Sequence, residues 1–515
     1  MSDYAIELRH ITKTFGRVVA NQDVSMFVRR GEILSLLGEN GSGKTTLMNM
    51  IAGIYYPDSG EILVDGRPVE IRSPKDAMGL KIGMVHQHFK LIDVFTAAEN
   101  IALVMEKQGR YNLRDVKKKA RDICDAYHFD LDLEQKVYEM SVSQKQTLEI
   151  VKVLIRGADI LILDEPTAVL TPQETSRLFQ VMREMRKNGK SIIIITHKLH
   201  EVLEISDRVV VLRKGEYVGD VHTREATTSI LTEMMVGQKV TLNIGRTVPM
   251  ERHIRLAVRN LTVVNAEEVT VLDHVSFDAF SGEILGIAGI SGNGQKELLE
   301  SIAGLQIAQK GSSVIYFPDD DRDSTAEQLL GKDPEDIRRM GVHLSFVPED
   351  RLGMGLVGSM GMTDNMMLKS YKRGGLPTVD RRPPKKLAEE VRQSLGVVTP
   401  SVQTPVSQLS GGNVQKVLVG REIAAAPSVL MTAYAVRGLD IQTSYTIYNL
   451  LEEQKQKGVA VLYVGEDLDV LIDLCDRILV LCGGKVNGLL DARKTTKEEV
   501  GLLMTRLQEK EGRTP

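Results

Sequence analysis

The chain is short of cysteine, of unbalanced charge and of long apolar runs, and each shortage removes a class of function. Its three cysteines, Cys124, Cys475 and Cys482, lack metal-ligand spacing and cannot build a disulfide framework. That usage fits a reducing compartment. Lysine plus arginine (65) nearly balances aspartate plus glutamate (69), which leaves a net charge of −4. No basic surplus is available for broad nucleic-acid binding. The longest apolar stretches, such as Ile192-Ile193-Ile194-Ile195 and Ile284-Leu285-Gly286-Ile287, are of strand length and far short of a membrane span. Met1-Ser2-Asp3 opens without the basic-then-apolar pattern of a signal peptide. These absences predict a chain that works in the cytoplasm and does not itself cross a bilayer.

What is present is a duplication. The 515 residues allow two to four domains, each with a full core. Gly31-Glu32-Ile33-Leu34 returns as Gly282-Glu283-Ile284-Leu285. Ser206-Asp207-Arg208, ahead of an apolar run, returns as Cys475-Asp476-Arg477 ahead of another. The second spacing is wider because the second copy carries extra residues around the polar run 319–323. A period this long means a duplicated domain rather than a solenoid. The expected division is a first domain at 4–240, a linker at 241–254 and a second domain at 255–507. The polar stretch 239–251, with Gly245 and Pro249, suggests the linker. Within each copy short β-branched runs alternate with helical segments, the α/β pattern of a mostly parallel sheet covered by helices. Ile160-Leu161-Ile162-Leu163 and residues 191–196 are candidate buried strands. Thr171-Pro172-Gln173-Glu174 is a helix start, with a threonine cap, proline in the first turn and glutamate closing a capping box.

The first copy carries a complete phosphate-binding loop, Gly38-Glu39-Asn40-Gly41-Ser42-Gly43-Lys44-Thr45. Its glycines let the backbone curl until its N–H groups point at phosphate oxygens, and the helix beginning near Lys44 aims its positive end at the same place. Lys44 is expected to reach the β- and γ-phosphates and the Thr45 hydroxyl to bind magnesium. Asp164 and Glu165 end an apolar strand. Alone, such a pair is usually a solvated turn; beside this loop, it can hold magnesium and orient or deprotonate an attacking water. His197, after the next strand, is placed to contact the γ-phosphate.

Residues 38–45, Gln87, Asp164-Glu165 and His197 occur in the order Walker A, Q-loop, Walker B and H-switch, and the chain resembles ABC-transporter ATPases from about Tyr4 to Leu507. The resemblance implies two tandem P-loop NTPase domains of the ABC type. Each would have a RecA-like mostly parallel sheet, an antiparallel β subdomain and a helical subdomain. It implies ATP bound by Phe15 (stacking on adenine), Gly38, Asn40, Gly41, Ser42, Gly43, Lys44, Thr45 and Thr46. It implies Mg²⁺ held by Thr45, Gln87 and Asp164, and catalysis by Glu165, His197 and Gln87. In this family two domains pair head to tail, so each ATP also meets the other copy's Leu-Ser-Gly-Gly-Gln signature.

The defects sort by that pairing. The second copy has Leu409-Ser410-Gly411-Gly412-Asn413, nearly intact, so Ser410, Gly411 and Gly412 would complete the first site. The first copy has Met140-Ser141-Val142-Ser143-Gln144, without the glycines that allow close backbone approach. The second phosphate loop reads Gly289-Ile290-Ser291-Gly292-Asn293-Gly294-Gln295-Lys296. Gln295 forfeits charge-assisted hydrogen bonds about twice as strong as neutral ones. Lys296 would set an ammonium beside the metal. A register slip in which Lys296 serves as Lys44 does is the alternative. The Walker B carboxylates become Ala433 and Tyr434, Glu349 takes the Q-loop position, and Glu466 takes the histidine position. One hydrolytic site and one degenerate site are therefore expected.

Within the family, a twin-domain chain resembles the ATPase subunit of simple-sugar and nucleoside importers. Ala168-Val169-Leu170-Thr171-Pro172-Gln173-Glu174, Val347-Pro348-Glu349-Asp350-Arg351 and Arg437-Gly438-Leu439-Asp440 are typical of that group. Met84-Val85-His86-Gln87-His88-Phe89 is closer to the nucleoside branch; the alternative is a ribose- or galactose-type importer. The resemblance implies two transmembrane permease subunits docking on the Q-loop and the helical segment expected after it, about 89–107, a separate extracytoplasmic solute-binding protein, no nucleic acid, and a peripheral place on the cytoplasmic face of the plasma membrane. The rival from another class is a soluble twin-domain ATPase acting on ribosomes. The short linker and one-sided decay argue against it. A nucleotide-binding pseudoenzyme is disfavoured by the intact Lys44, Glu165 and Ser410.

Overall fold

The computed structural model describes residues 3–505 except 17, 88, 106–111, 169, 239–243, 249–252, 266, 291, 319–325 and 372–378. His88, Val169, Ser291, Leu507, the 319–323 run and parts of the 239–251 and 89–107 segments lie outside the described residues. The chain divides into two units, Met1–Thr241 and Leu242–Pro515.

In the first unit, β1 (Tyr4–Phe15), β2 (Val18–Arg29), β4 (Ser59–Val64) and β5 (Arg67–Val69) form an antiparallel sheet in the order β2-β1-β4-β5. A six-stranded sheet takes β3 (Ile33–Leu37), β6 (Ile82–Val85), β7 (Ile160–Asp164), β8 (Ser191–Ile195), β9 (Arg208–Arg213) and β10 (Glu216–His222). Its order is β10-β9-β3-β8-β7-β6, parallel except for the β9–β10 pair. Both faces are covered, which is why the central strands are apolar throughout. Alternation sends Ile160 and Ile162 into the core beneath the antiparallel sheet, and Leu161 and Leu163 into the core on the other face. A third core holds the helices Ala97–Val104, Leu113–Tyr127 and Val142–Ile155 together.

The second unit repeats this plan. Its antiparallel sheet is β12-β11-β14-β15, from β11 (Ile254–Val264), β12 (Thr270–Phe280), β14 (Ser313–Tyr316) and β15 (Glu327–Gln328). Its main sheet is β16-β17-β18-β13-β19-β20, from β13 (Glu283–Ala288), β16 (Leu344–Val347), β17 (Val429–Ala433), β18 (Ala460–Val464), β19 (Arg477–Cys482) and β20 (Lys485–Asp491). The two repeated peptides turn out to be halves of one device. Arg208, 2% exposed, binds Glu32 at 2.8 Å and the Phe27 carbonyl at 2.6 Å, while Ile33 N–H donates to Asp207 at 2.9 Å. Arg477 binds Glu283 at 2.5 Å, and Ile284 N–H donates to Asp476 at 3.0 Å. Each pair clips the start of a central strand to its neighbour.

Two segments differ from expectation. The helix after the Q-loop covers only Ala97–Val104 of 89–107, because Thr96 and Glu99 form a capping box there. The buried Asn100 side chain then serves both backbone groups of Ile92, which holds the preceding loop out of helix. Asn365 does the same for Val357 in the second unit. Residues 244–248, read as part of a linker, are docked on the second unit. Thr247 donates twice to Glu452, and its carbonyl accepts from Lys455 at 2.8 Å and Arg493 at 2.9 Å. Arg246 donates to the Ile472 carbonyl at 2.9 Å. Beneath this strap Lys455 and Asp476 pair at 3.1 Å, each 1% exposed. The equivalent Arg186–Asp207 pair of the first unit is uncovered, at 41% and 37%.

Candidate functional site

The first phosphate loop joins β3 to the helix Lys44–Ile51. Two of its glycines are required by close approach. A Cβ on Gly38 would lie 2.3 Å from the Leu212 carbonyl oxygen, and one on Gly43 would lie 2.3 Å from that of Ala20. Gly43 also has φ 92. Lys44 is buried, and its ammonium folds back to donate to the carbonyls of Gly38 at 2.7 Å and Glu39 at 2.9 Å. Burial pulls its pKa down, against the attraction of Glu165, Asp164 and Glu39. The Ser42 hydroxyl is buried with no hydrogen-bond partner, while Asn40, Gly41 and Thr45 are exposed and Thr46 is half-buried. Backbone cradle, cation and hydroxyls together can take a polyphosphate.

Three strand ends meet beside the loop. Asp164 closes β7, buried, and its carboxyl is pushed up to about 6, first by burial and then by Glu165. Glu165 follows with φ 46, its N–H donating to the Ile195 carbonyl at 2.9 Å. Gln87, past β6, donates its amide to Glu165 Oε2 at 2.8 Å, and His197, past β8, meets Glu165 Oε1 through Nδ1 at 2.9 Å. The His197 contact, ahead of burial, holds the Glu165 carboxyl below its ordinary range. An ionised carboxylate held between an amide and an imidazole can accept a proton from water.

Among the described residues no cluster of three or more His, Cys, Asp or Glu is arranged to hold a metal alone. A hard cation shared with phosphate oxygens suits the donors present, the Thr45 hydroxyl, the Asp164 carboxylate and the Gln87 amide oxygen. Phe15, 43% exposed, offers a face to a base. It packs against Tyr55 with ring centroids 5.1 Å apart, an aromatic that sequence reasoning passed over. Its signal was an exposed aromatic pair, Tyr55-Tyr56, in a chain that is only 4% aromatic.

The second unit keeps this backbone and changes the groups. Gly292 and Gly294 have φ 90 and 98, close to Gly41 and Gly43 at 81 and 92. Gln295 takes the place of Lys44, donating to the Ile290 carbonyl at 3.1 Å. Lys296 is exposed and points elsewhere, its ammonium 3.8 Å from Glu300, so the register slip does not occur. Tyr434 repeats the Glu165 turn with φ 51 and an N–H bonded to the Val464 carbonyl. Burial, then Glu466 and Glu349, push its phenol up to about 12. Glu349 and Glu466 do not meet Tyr434 as Gln87 and His197 meet Glu165; both bind Arg437.

The signatures differ in bulk rather than in conformation. Ser141 caps the helix Val142–Ile155 and Ser410 caps Gly411–Ala424. Gly411 and Gly412 are helical, so neither needs glycine for its backbone. Their lack of a side chain leaves the helix start open: Ser410 and Gly411 are exposed, and a Cβ on Gly411 would stand 3.2 Å from Arg351. Val142 and Ser143 fill that space in the first unit.

The ABC transporter family model matches residues 21–168 and 272–432. The chain is 38% identical to the nucleoside import ATP-binding protein NupA of Lactococcus lactis, with 98% of each chain covered. It is 40% identical to the guanosine import ATP-binding protein NupO of Bacillus subtilis, with 99% of each covered. It is 38% identical to the glucose import ATP-binding protein TsgD13 of Haloferax volcanii, over 97% of this chain and 95% of that one. Among solved structures, an archaeal ribosome recycling factor in complex with a ribosomal stalk protein shares the fold. It has a TM-score of 0.62 at 17% identity and covers 96% of this chain and 92% of that one.

Proposed function

The chain belongs to the ABC transporter family and is an ATP hydrolase, and from that premise we propose that it is the ATP-hydrolysing subunit of a nucleoside importer, with one hydrolytic centre and one degenerate one. The observation that carries the hydrolytic reading is the Gln87–Glu165–His197 arrangement beside Lys44 and Asp164, which has no chemical equivalent at Glu349, Tyr434 and Glu466. In this reading the loop 38–45 with Lys44 and Thr46 binds the ATP phosphates and Phe15 binds adenine. Thr45, Asp164 and Gln87 would hold Mg²⁺, which when bound would supply neutralising charge to the phosphates. Glu165 takes the proton of the attacking water, and His197 orients the γ-phosphate. Ser410, Gly411 and Gly412 close the same nucleotide from the other copy. ATP favours the closed pair, and hydrolysis removes the γ-phosphate contacts and lets it open.

Gln87 would report that state to two permease subunits docked at 89–107, where Ile92, Val94 and Leu103 are exposed. A solute-binding protein outside the membrane would supply the cargo. Among the described residues no helix is long and apolar enough to cross a membrane, which suits a peripheral place on the cytoplasmic face. Full-length likeness to nucleoside import proteins supports the nucleoside reading, and the glucose import relative supports a sugar as the second. Reconstitution with the permease and binding protein decides between them. Nucleosides should stimulate ATP hydrolysis and pentoses or hexoses should not; stimulation by sugars alone would replace the cargo, and none by either would remove the importer. Placing charge on this apolar surface, Val94→Glu with Leu103→Glu, should abolish assembly with the permease.

A further inference from the structure

The second unit's counterpart of the hydrolytic centre is a clasp built on Arg437. Its Nη1 donates to Glu349 beyond β16, and its Nε lies 3.1 Å from Glu466 beyond β18. Its guanidinium carbon stands 5.9 Å from the Tyr434 ring centroid, and its own carbonyl accepts from Arg351. The loops joined are the same three that Glu165 joins in the first unit. The sign is inverted: there a carboxylate bridges an amide and an imidazole, here a cation bridges two carboxylates.

The inversion changes what a ligand can do. In the first unit both partners of Glu165 are groups assigned to the nucleotide, Gln87 through its amide oxygen and His197 through its ring, so loading the site acts directly on this arrangement. In the second unit the clasp's charges are paired with one another, and none is a group assigned to the nucleotide. Removing the cation would leave Glu349 and Glu466 repelling one another. A planar guanidinium can serve both carboxylates at once, and a lysine ammonium on a flexible stem does so less well.

We propose that Arg437 is a positioning residue that holds the second unit's Q-loop and switch positions in one arrangement with or without nucleotide, leaving the nucleotide-dependent change to the first unit. This rests on the reading of the Glu165 centre as the hydrolytic one. The test is amide hydrogen exchange on the full chain, because Met354, Gly355, Leu356, Arg437 and Leu439 all have hydrogen-bonded N–H groups next to the clasp. Without nucleotide, Arg437→Ala should speed exchange across 350–356 and 434–439 by about fivefold, within the reach of two half-exposed ion pairs on one guanidinium. Arg437→Lys should fall between, which also serves if the alanine variant does not fold. Glu349→Ala with Glu466→Ala should speed exchange in the same segments at least as much as Arg437→Ala, and adding Arg437→Ala to that pair should change little further. In the unaltered chain Mg-ATP should alter exchange at 164–168 and 196–199 but leave 350–356 and 434–439 within about twofold. Unchanged exchange in both Arg437 variants overturns the clasp, as does an ATP response in the second unit as large as in the first. No ATP response at 164–168 would instead overturn the hydrolytic reading, with the nucleotide-free comparison still valid.

Discussion

At the ends of β7 and β17 the two copies place a large residue in left-handed backbone, Glu165 at φ 46 and Tyr434 at φ 51, each with its N–H on the next strand's carbonyl. Such a conformation costs an ordinary side chain on the order of 1 kcal/mol or more. The first copy offsets that cost with chemistry. The second keeps the turn after the carboxylate has gone, since strand order, loop glycines and strand clips still impose it. The backbone of a site and its reactivity are thus separable: one outlasts the other.

The sharpest test of that separation is at the turn itself. Glu165→Gln should lower ATP turnover of the reconstituted complex by about a thousandfold, and Tyr434→Ala by less than about twofold. Comparable losses from both would end the asymmetry. Next in size is a change that should hurt both copies. Arg208→Met leaves Glu32 buried without its partner and should destabilise the first unit by about 3 kcal/mol. Arg477→Met should do the same in the second to a smaller degree, because Arg477 is 17% exposed against 2% for Arg208. Denaturant unfolding followed by a probe in each unit reads this. Giving the second signature the first one's bulk, Gly411→Val with Gly412→Ser, should cost on the order of thirtyfold in turnover with the fold intact. The smallest effect is a repair that should fail. Gln295→Lys with Lys296→Thr rebuilds the second loop, yet turnover should move by less than about twofold because Ala433 and Tyr434 still lack carboxylates. A clear gain would show that the loop alone limits that copy.

Much of this was legible in the chain because it is local. A phosphate loop lies within eight residues, and the strand end at Asp164 follows from an apolar run. The repeated peptides were visible as text, but that Glu32 grips Arg208 was not, since the two lie on different strands. Arg437 was read as part of a motif, while its partners sit on separate loops that only the sheet brings together. The polar composition of 239–251 suggested a short linker; Thr247 is polar because it satisfies the buried Glu452, and Arg246 because it caps the Ile472 carbonyl beside Asp476, roles that composition alone does not distinguish from solvation. The Ala97–Val104 helix is shorter than expected because one side chain, Asn100, outcompetes helix formation upstream.

The strap at 244–248 has a consequence for how freely the halves can be parted. A gene for the second half cut at the first strand, Ile254, would lack Arg246 and Thr247 and would expose Lys455, Asp476 and Glu452, a buried ionic cluster with no lid. The first half has no such debt, because its equivalent pair already lies in water. The fusion is therefore not reversible at that boundary. Part of what looks like a join has become the trailing half's own interior, so the two modules are no longer interchangeable, even where their strands still correspond one for one.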